Sequence, residues 1–314
     1  MSTPLAAFLF VLSLAATLAA SGLFARRLDG LGVRLGIPEA LLGLLTALAA
    51  DGPELASGVT AMVRGEHGVG VGVLVGSNIF NLAAMVGVSA LLAGSIRLDR
   101  PALALEGVFA LFVTGLAAGV LFGSLGAWPA LALFAAAAVP YLVLLGRGTF
   151  HGPPPPRPPR TDSVATMAGL FARELPAIAV IVAGSVGMVY TAVLIADREG
   201  LPRPLVGLLL LATLTSLPNA ATAIRLGLRG RGEALVSETL NSNTINLSMG
   251  ILLPAALVGI GTGANGLGLD YAWMAAVTVG TLVLVGRRGG AGRVAGAAIV
   301  GAYLAYVVVR SATA

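Results

Sequence analysis

The chain has 314 residues, 57% of them hydrophobic and 11% charged, with a mean hydropathy of +0.94; a water-soluble chain carries about 25% charged residues, so the bilayer is the natural solvent here. All 19 basic residues are arginine and the net charge is +5, but most of the arginines fall in short gaps between apolar runs, which is the pattern of membrane topology and not of a nucleic-acid groove. The absence of cysteine excludes disulfides, thiolate metal sites and cysteine nucleophiles.

A membrane-spanning helix needs roughly 20 apolar residues. Ten runs of that kind follow one another, at 4–24, 37–63, 68–94, 101–122, 126–146, 175–196, 203–228, 234–258, 269–286 and 292–310. The first has no basic stretch before it and is followed by Arg26-Arg27. That favours an uncleaved first span starting outside over a signal peptide. The second is interrupted by Asp51-Gly52-Pro53-Glu54. Pro53 removes a backbone hydrogen bond and Gly52 tolerates non-helical geometry. The third opens on GVGVGVLVG, residues 68–76. Its glycines are spaced like a nucleotide fingerprint, but no strand or βαβ unit surrounds them, so they read as close helix packing through small residues.

Between the fifth and sixth runs lies a Pro-rich segment, extended and semi-rigid. It divides the chain into 1–146, a linker at 147–172, and 173–314, with five spans on either side. The seventh run is interrupted at Thr215-Ser216-Leu217-Pro218-Asn219, and the eighth carries Glu238 between Leu235 and Leu240.

The two interrupted regions are copies. Residues 51–81 and 216–246 align without a gap at a constant offset of 165, with 8 of 31 positions identical. The identities include the proline, an Arg-Gly pair and the closing Ser-Asn-x-x-Asn. One set of alternate loops holds Arg26, Arg27, Arg34, Arg97, Arg100, Arg147, Arg157, Arg160, Arg229, Arg231, Arg287, Arg288 and Arg293; the other holds Arg64, Arg198 and Arg203, with Arg310 at the C-terminus. The positive-inside rule then puts both termini outside and the linker in the cytoplasm. Five spans is an odd number, so the second half enters the membrane in the opposite orientation. The expected fold is an all-α membrane protein of ten helices in two inverted five-helix repeats, with helices 2 and 7 broken. Repeats of this kind point to a secondary transporter whose site lies where the halves meet.

Acids at such depth are costly and mark function. Asp51, Glu54 and Glu238 are the candidates, with hydroxyl and amide oxygens at Thr215, Ser216 and Asn219. Carbonyls freed at the breaks must find protein, water or an ion. Carboxylates, carbonyls, hydroxyls and amides are hard donors suited to Ca²⁺ or Na⁺. The two histidines, His67 and His151, read as loop residues, which argues against a zinc-type site. Arg225, about two turns past Pro218, is the one arginine that could pair with Glu54 near mid-depth. Glu39 and Glu106 sit nearer span ends, where headgroups or arginine could pair them, and Glu233 lies close to the Arg229–Arg231 loop.

These residues resemble the sodium/calcium exchanger superfamily of cation antiporters. PEL at Pro53–Leu55 and GSNIFN at Gly76–Asn81 match its first repeat; TSLP at Thr215–Pro218 and SNTIN at Ser242–Asn246 match its second. The resemblance implies ligands at Glu54, Glu238, Asp51, Ser216, Thr215, Ser77, Ser242 and Asn219. It departs from the family pattern at Asn219, where an acid is expected, at Val73, where an asparagine is expected, at Ala50, which replaces a hydroxyl, and at Asn241, which replaces a glycine. Asp51 offsets the acid missing at Asn219, leaving three carboxylates. Val73 removes an oxygen that would serve Na⁺, which brings proton coupling through a closely spaced carboxylate into play.

The resemblance implies a cell-membrane antiporter, Ca²⁺ against Na⁺ or H⁺, and not an enzyme. Its partners are inorganic cations and the lipid bilayer, with no nucleic acid. It needs no cofactor, since Ca²⁺, and Na⁺ where it couples, are the cargo. An intramembrane aspartyl protease needs two facing aspartates at mid-depth, and Asp51 is alone there. The remaining alternatives are a carrier for another substrate, such as Mg²⁺ or an organic solute, and a degenerate family member without transport.

Overall fold

The structure is a computed structural model that describes residues 1–35, 47–48, 50–97, 100–146, 173–259 and 266–313. Its elements are α1 (Thr3–Leu35), α2 (Gly52–Val63), α3 (His67–Ala93), β1 (Ser95–Arg97), α4 (Arg100–Leu121), α5 (Ala127–Gly146), α6 (Leu175–Glu199), α7 (Arg203–Thr215), α8 (Leu217–Leu228), α9 (Gly232–Leu247), α10 (Leu253–Leu257), α11 (Gly268–Arg288), β2 (Gly290–Gly292) and α12 (Arg293–Ala312). Among the described residues seven helices are long and apolar enough to cross a membrane, and eight if α7 and α8 count as one bent span. The chain is an integral membrane protein with an all-α transmembrane fold.

α3 is the central helix, buried over 94% of its apolar window, whereas α1, α5 and α12 are buried over only 17%, 11% and 17% of theirs. Phe8 and Val11 on α1, Trp128 and Val139 on α5, and Val294 and Val308 on α12 are exposed. A helix apolar on its outer face is stable only against lipid. α1 extends past the expected end at residue 24, through Arg26-Arg27 to Leu35. Pro4 sits in the first turn of α1, where proline is tolerated, and the next proline is Pro38, so no proline stops the helix once it leaves the apolar zone. His67, expected in a loop, is instead the first residue of α3. Glu39, His151 and the Pro-rich linker lie outside the described residues.

α3 reaches its neighbours through the glycines of its opening run. A Cβ at Gly70 would strike the Gly58 carbonyl and Met62 of α2; one at Gly76 would strike the Leu208 carbonyl and Ala212 of α7. Backbone contact of this kind is how helices associate in lipid. At the break before α8 the chain turns by 47° around Ser216. The backbone bonds there match those 165 residues earlier: Asp51 N–H to Ala47 O (2.8 Å) and Leu55 N–H to Asp51 O (2.9 Å), against Ser216 N–H to Ala212 O (3.2 Å) and Ala220 N–H to Ser216 O (3.0 Å). Two π-helical stretches also fall at matching places, Leu82–Val88 inside α3 and Ser248–Leu252 after α9.

α3 and α9 cross at the centre of the molecule. Asn78 donates to the Asn243 carbonyl and Asn243 to the Asn78 carbonyl, both at 3.1 Å. Mutual bonds between equivalent residues are what a local two-fold relation requires. Leu74 meets Gly250 and Asn81 meets Ser242, so one number rises as the other falls and the two helices run antiparallel. At one end of the molecule β1 and β2 pair antiparallel, Ser95 with Gly292 and Arg97 with Gly290. This ribbon ties the loop after α3 to the α11–α12 hairpin.

Candidate cation site

The first turns of α2 and α8 lie against the middle of α3 and α9. Asp51 and Ser216 occupy equivalent positions just before those turns, and neither uses its side chain to cap its helix. Both side chains therefore remain available to the interior. Glu54 follows in the first turn of α2, where the helix dipole favours a negative charge.

One amide joins the two acids. Asn219 Nδ2 donates to Asp51 Oδ1 at 2.7 Å and to Glu54 Oε1 at 3.1 Å. Ser242 Oγ donates to the same Asp51 oxygen at 2.6 Å, and Asn246 Nδ2 donates to Glu54 Oε2 at 2.6 Å. Ser216 and Asn81 also reach Glu54. Asn81 Nδ2 donates to Ser242 Oγ (3.1 Å) and Asn243 Oδ1 (3.4 Å), and Asn246 Nδ2 to Asn78 Oδ1 (3.0 Å). Asp51, Glu54, Asn81 and Asn246 are 0% exposed. Arg225 is exposed and no described arginine pairs with either acid, so only neutral donors hold the two carboxylates.

The oxygens left over define the chemistry. Asp51 Oδ2, Asn81 Oδ1, Asn219 Oδ1 and Asn246 Oδ1 are buried without a donor. Each amide spends its N–H groups on a carboxylate, hydroxyl or carbonyl and keeps a bare carbonyl oxygen. Buried polar groups are ordinarily satisfied, and hard oxygens around two carboxylates suit a hard cation such as Ca²⁺.

The remaining expected ligands divide. Thr215 Oγ1 donates to Leu211 O (2.8 Å) and Ala212 O (3.3 Å), Ser216 Oγ to Ala212 O (2.7 Å), and Ser77 Oγ to Ala212 O (3.4 Å). These hydroxyl protons thus go to the Leu211 and Ala212 carbonyls near the end of α7. Glu238 lies one turn before Ser242 on α9, and its Oε2 is buried without a partner. No group of three acidic or histidine side chains closes on a single point among the described residues. The structure pairs two of the three expected carboxylates through Asn219 and leaves the third one helical turn from Ser242. Val73, the first-repeat counterpart of Glu238, is 0% exposed and packs in an apolar cluster with Met188 and Leu211.

Two sets of residues were not foreseen. Asn81 and Asn246 belong to the site, and their signal was the Ser-Asn-x-x-Asn ending common to both copies. Glu106, expected to meet headgroups or an arginine, is 5% exposed and accepts a hydrogen bond from Ser237 Oγ at 2.5 Å. It faces α9 through that bond to Ser237, a consequence of three-dimensional packing and not of its place in the span.

A family model described as sodium/calcium exchanger protein matches residues 5–146 and 175–312. A putative antiporter, CaxA of Alkalimonas amylolytica, is 29% identical over 302 residues, covering 87% of this chain and 88% of its own. The sodium/calcium exchanger MaX1 of Methanosarcina acetivorans is 40% identical over 73 residues, 23% of this chain and 21% of its own. In fold, the chain is similar to the crystal structure of an H⁺/Ca²⁺ exchanger, CAX, with TM-score 0.75 at 15% identity, over 96% of this chain and 82% of that one. It is also similar to the sodium-calcium exchanger NCX_Mj soaked with 10 mM Na⁺ and zero Ca²⁺, with TM-score 0.66 at 18% identity, over 98% of this chain and 99% of that one.

Proposed function

Since the chain belongs to the sodium/calcium exchanger family of membrane antiporters, we propose that it exchanges Ca²⁺ for Na⁺ or H⁺ by alternating access around Asp51, Glu54 and Asn219. The observation that carries this reading is the pair of buried carboxylates bridged by the Asn219 amide, with unpartnered amide oxygens around them. Two carboxylates balance one divalent cation. Asn81, Asn246 and Ser242 add neutral oxygens, Glu238 attracts the ion from one turn away, and the hydroxyl oxygens of Ser216, Thr215 and Ser77 are further candidate donors.

The exchange step follows from electrostatics. Moving two bare carboxylates through a low-dielectric barrier costs several kcal/mol per charge. A bound Ca²⁺, or the counter-ions that replace it, neutralises them and allows the helices around the site to rearrange. An empty site therefore stays on its own side of the membrane, which gives exchange and not leak.

The scaffold in this reading is ten spans in two inverted repeats, 1–146 and 173–314, joined by the cytoplasmic linker at 147–172, with both termini outside. The mutual Asn78–Asn243 bonds and the antiparallel crossing of α3 and α9 support it. The test is ⁴⁵Ca²⁺ uptake into proteoliposomes loaded with Na⁺ or held at a pH gradient. Uptake should follow at least one of the two gradients, and Glu54→Gln should abolish it in protein that still folds. Uptake that survives in Glu54→Gln removes this site from transport.

A further inference from the structure

We propose that Glu106 and Tyr141 are positioning residues that set the rotation of α9 about its own axis, through Ser237 and Asn241, and so aim Glu238 and Ser242 at Asp51. This rests on the reading of the Asp51 site as the transport site.

α9 needs such a device. Eight of the ten residues from Ser237 to Asn246 are polar, on every face. An amphipathic helix chooses its rotation by burying an apolar stripe; here Leu235, Val236 and Leu240 enter an apolar cluster, but from Asn241 to Asn246 Ile245 is the one apolar residue, so hydrogen bonds must fix the rotation there. Those on the face away from the cation site form one chain. Tyr141 OH on α5 donates to Asn241 Oδ1 at 2.7 Å, Asn241 Nδ2 donates to Ser237 Oγ at 3.3 Å, and Ser237 Oγ donates to Glu106 on α4. The Tyr141 ring lies flat on Phe109, centroids 4.1 Å apart and planes 9° apart, which fixes its hydroxyl. Ser237 and Asn241 directly precede Glu238 and Ser242. Successive residues on a helix point about 100° apart, so holding the first pair against α4 and α5 turns the second pair to the other side.

The second half shows what else a buried acid at this place could do. The counterpart of Tyr141, 165 residues on, is Tyr306. Its hydroxyl donates to Asp270 at 2.9 Å, and Asp270 is closed by an ion pair with Arg310 at 2.9 Å. That acid stays within its own hairpin, α11–α12. Glu106 is nearly as buried, has no basic partner among the described residues, and reaches across to a hydroxyl on α9. A carboxylate at such depth is kept for a function, and the contact it makes is one residue from Glu238.

The natural absence of cysteine makes the test direct. Asp51→Cys combined with Ser242→Cys should be bridged by a short bifunctional thiol reagent. Adding Glu106→Leu or Tyr141→Phe should cut the yield several-fold, whereas Glu106→Gln, which still accepts from Ser237, should keep most of it. In the cysteine-free protein, Glu106→Leu should raise the Ca²⁺ concentration for half-maximal uptake about ten-fold, the size expected from one lost hydrogen bond to a charged group, with the maximal rate per folded molecule little changed. A bridge as efficient in Glu106→Leu and in Tyr141→Phe as in the parent overturns the proposal. Should Glu106→Leu not fold, Tyr141→Phe and Ser237→Ala decide it in the same way. A parent that does not cross-link, or a wild type that takes up no Ca²⁺, counts against the site itself.

Discussion

Asn219 stands where its first-half counterpart is Glu54, and Asp51 stands where its second-half counterpart is the neutral Ser216. The exchange is chemically coherent. Both charges sit on the first half, and the second half meets them with amide and hydroxyl donors, Asn219, Ser242 and Asn246. A carboxylate at 219 would lose both donated bonds and add a third charge. In Asn219→Glu the cation-free protein should therefore lose about 1–3 kcal/mol for each acceptor left bare, and Ca²⁺ uptake should become more dependent on Na⁺. Melting with and without Ca²⁺ and uptake over a Na⁺ series measure the two effects. Unchanged Na⁺ dependence would undo the assignment of Asn219 as the compensating partner of Asp51.

At the level of the helices, the breaks and the glycine contacts decide where the acids go. Pro218 stands at the start of α8, where the chain bends by 47°, and Pro53 in the first turn of α2; both are visible in the sequence as prolines inside apolar runs, and the offset of 165 pairs them. The apolar runs gave α4, α5, α6, α11 and α12 to within a few residues for the same reason: length and composition are local. What could not be read is what depends on a neighbour. Glu106 looked like a span-end acid until Ser237 of α9 was found beside it, and α1 ran on because no residue stops it. The asparagines at 81 and 246 were visible as repeated letters, but their partners are supplied by the other half. Gly76 of α3 and Gly115 of α4 give a clean contrast. Gly76→Ala forces a Cβ onto the Leu208 carbonyl and should cost about 1–3 kcal/mol, read as a lower melting temperature. Gly115→Ala, with nothing within 4 Å of the added atom, should leave stability unchanged or raise it by up to about 1 kcal/mol through helix propensity. Equal effects at both positions would contradict the direct α3–α7 contact.

For the molecule as a whole, the proposed scaffold has two halves of like structure facing each other head to tail, a reading the mutual bonds across the α3–α9 crossing support. That arrangement can present the same site to either side of the membrane with little internal change. Its topology is testable with single cysteines in this cysteine-free chain. Thr3→Cys and Ser311→Cys should react with an impermeant maleimide in intact cells, and Pro155→Cys only after permeabilisation; the opposite pattern would invert the orientation argued from the arginines. The central claim is that the carboxylates of Asp51 and Glu54 together hold one divalent cation. Equilibrium ⁴⁵Ca²⁺ binding to the purified protein tests it most directly. The wild type should show one saturable site per chain that Na⁺ or acid displaces, and Asp51→Asn and Glu54→Gln should each abolish it. Binding of wild-type affinity in both variants would contradict the account.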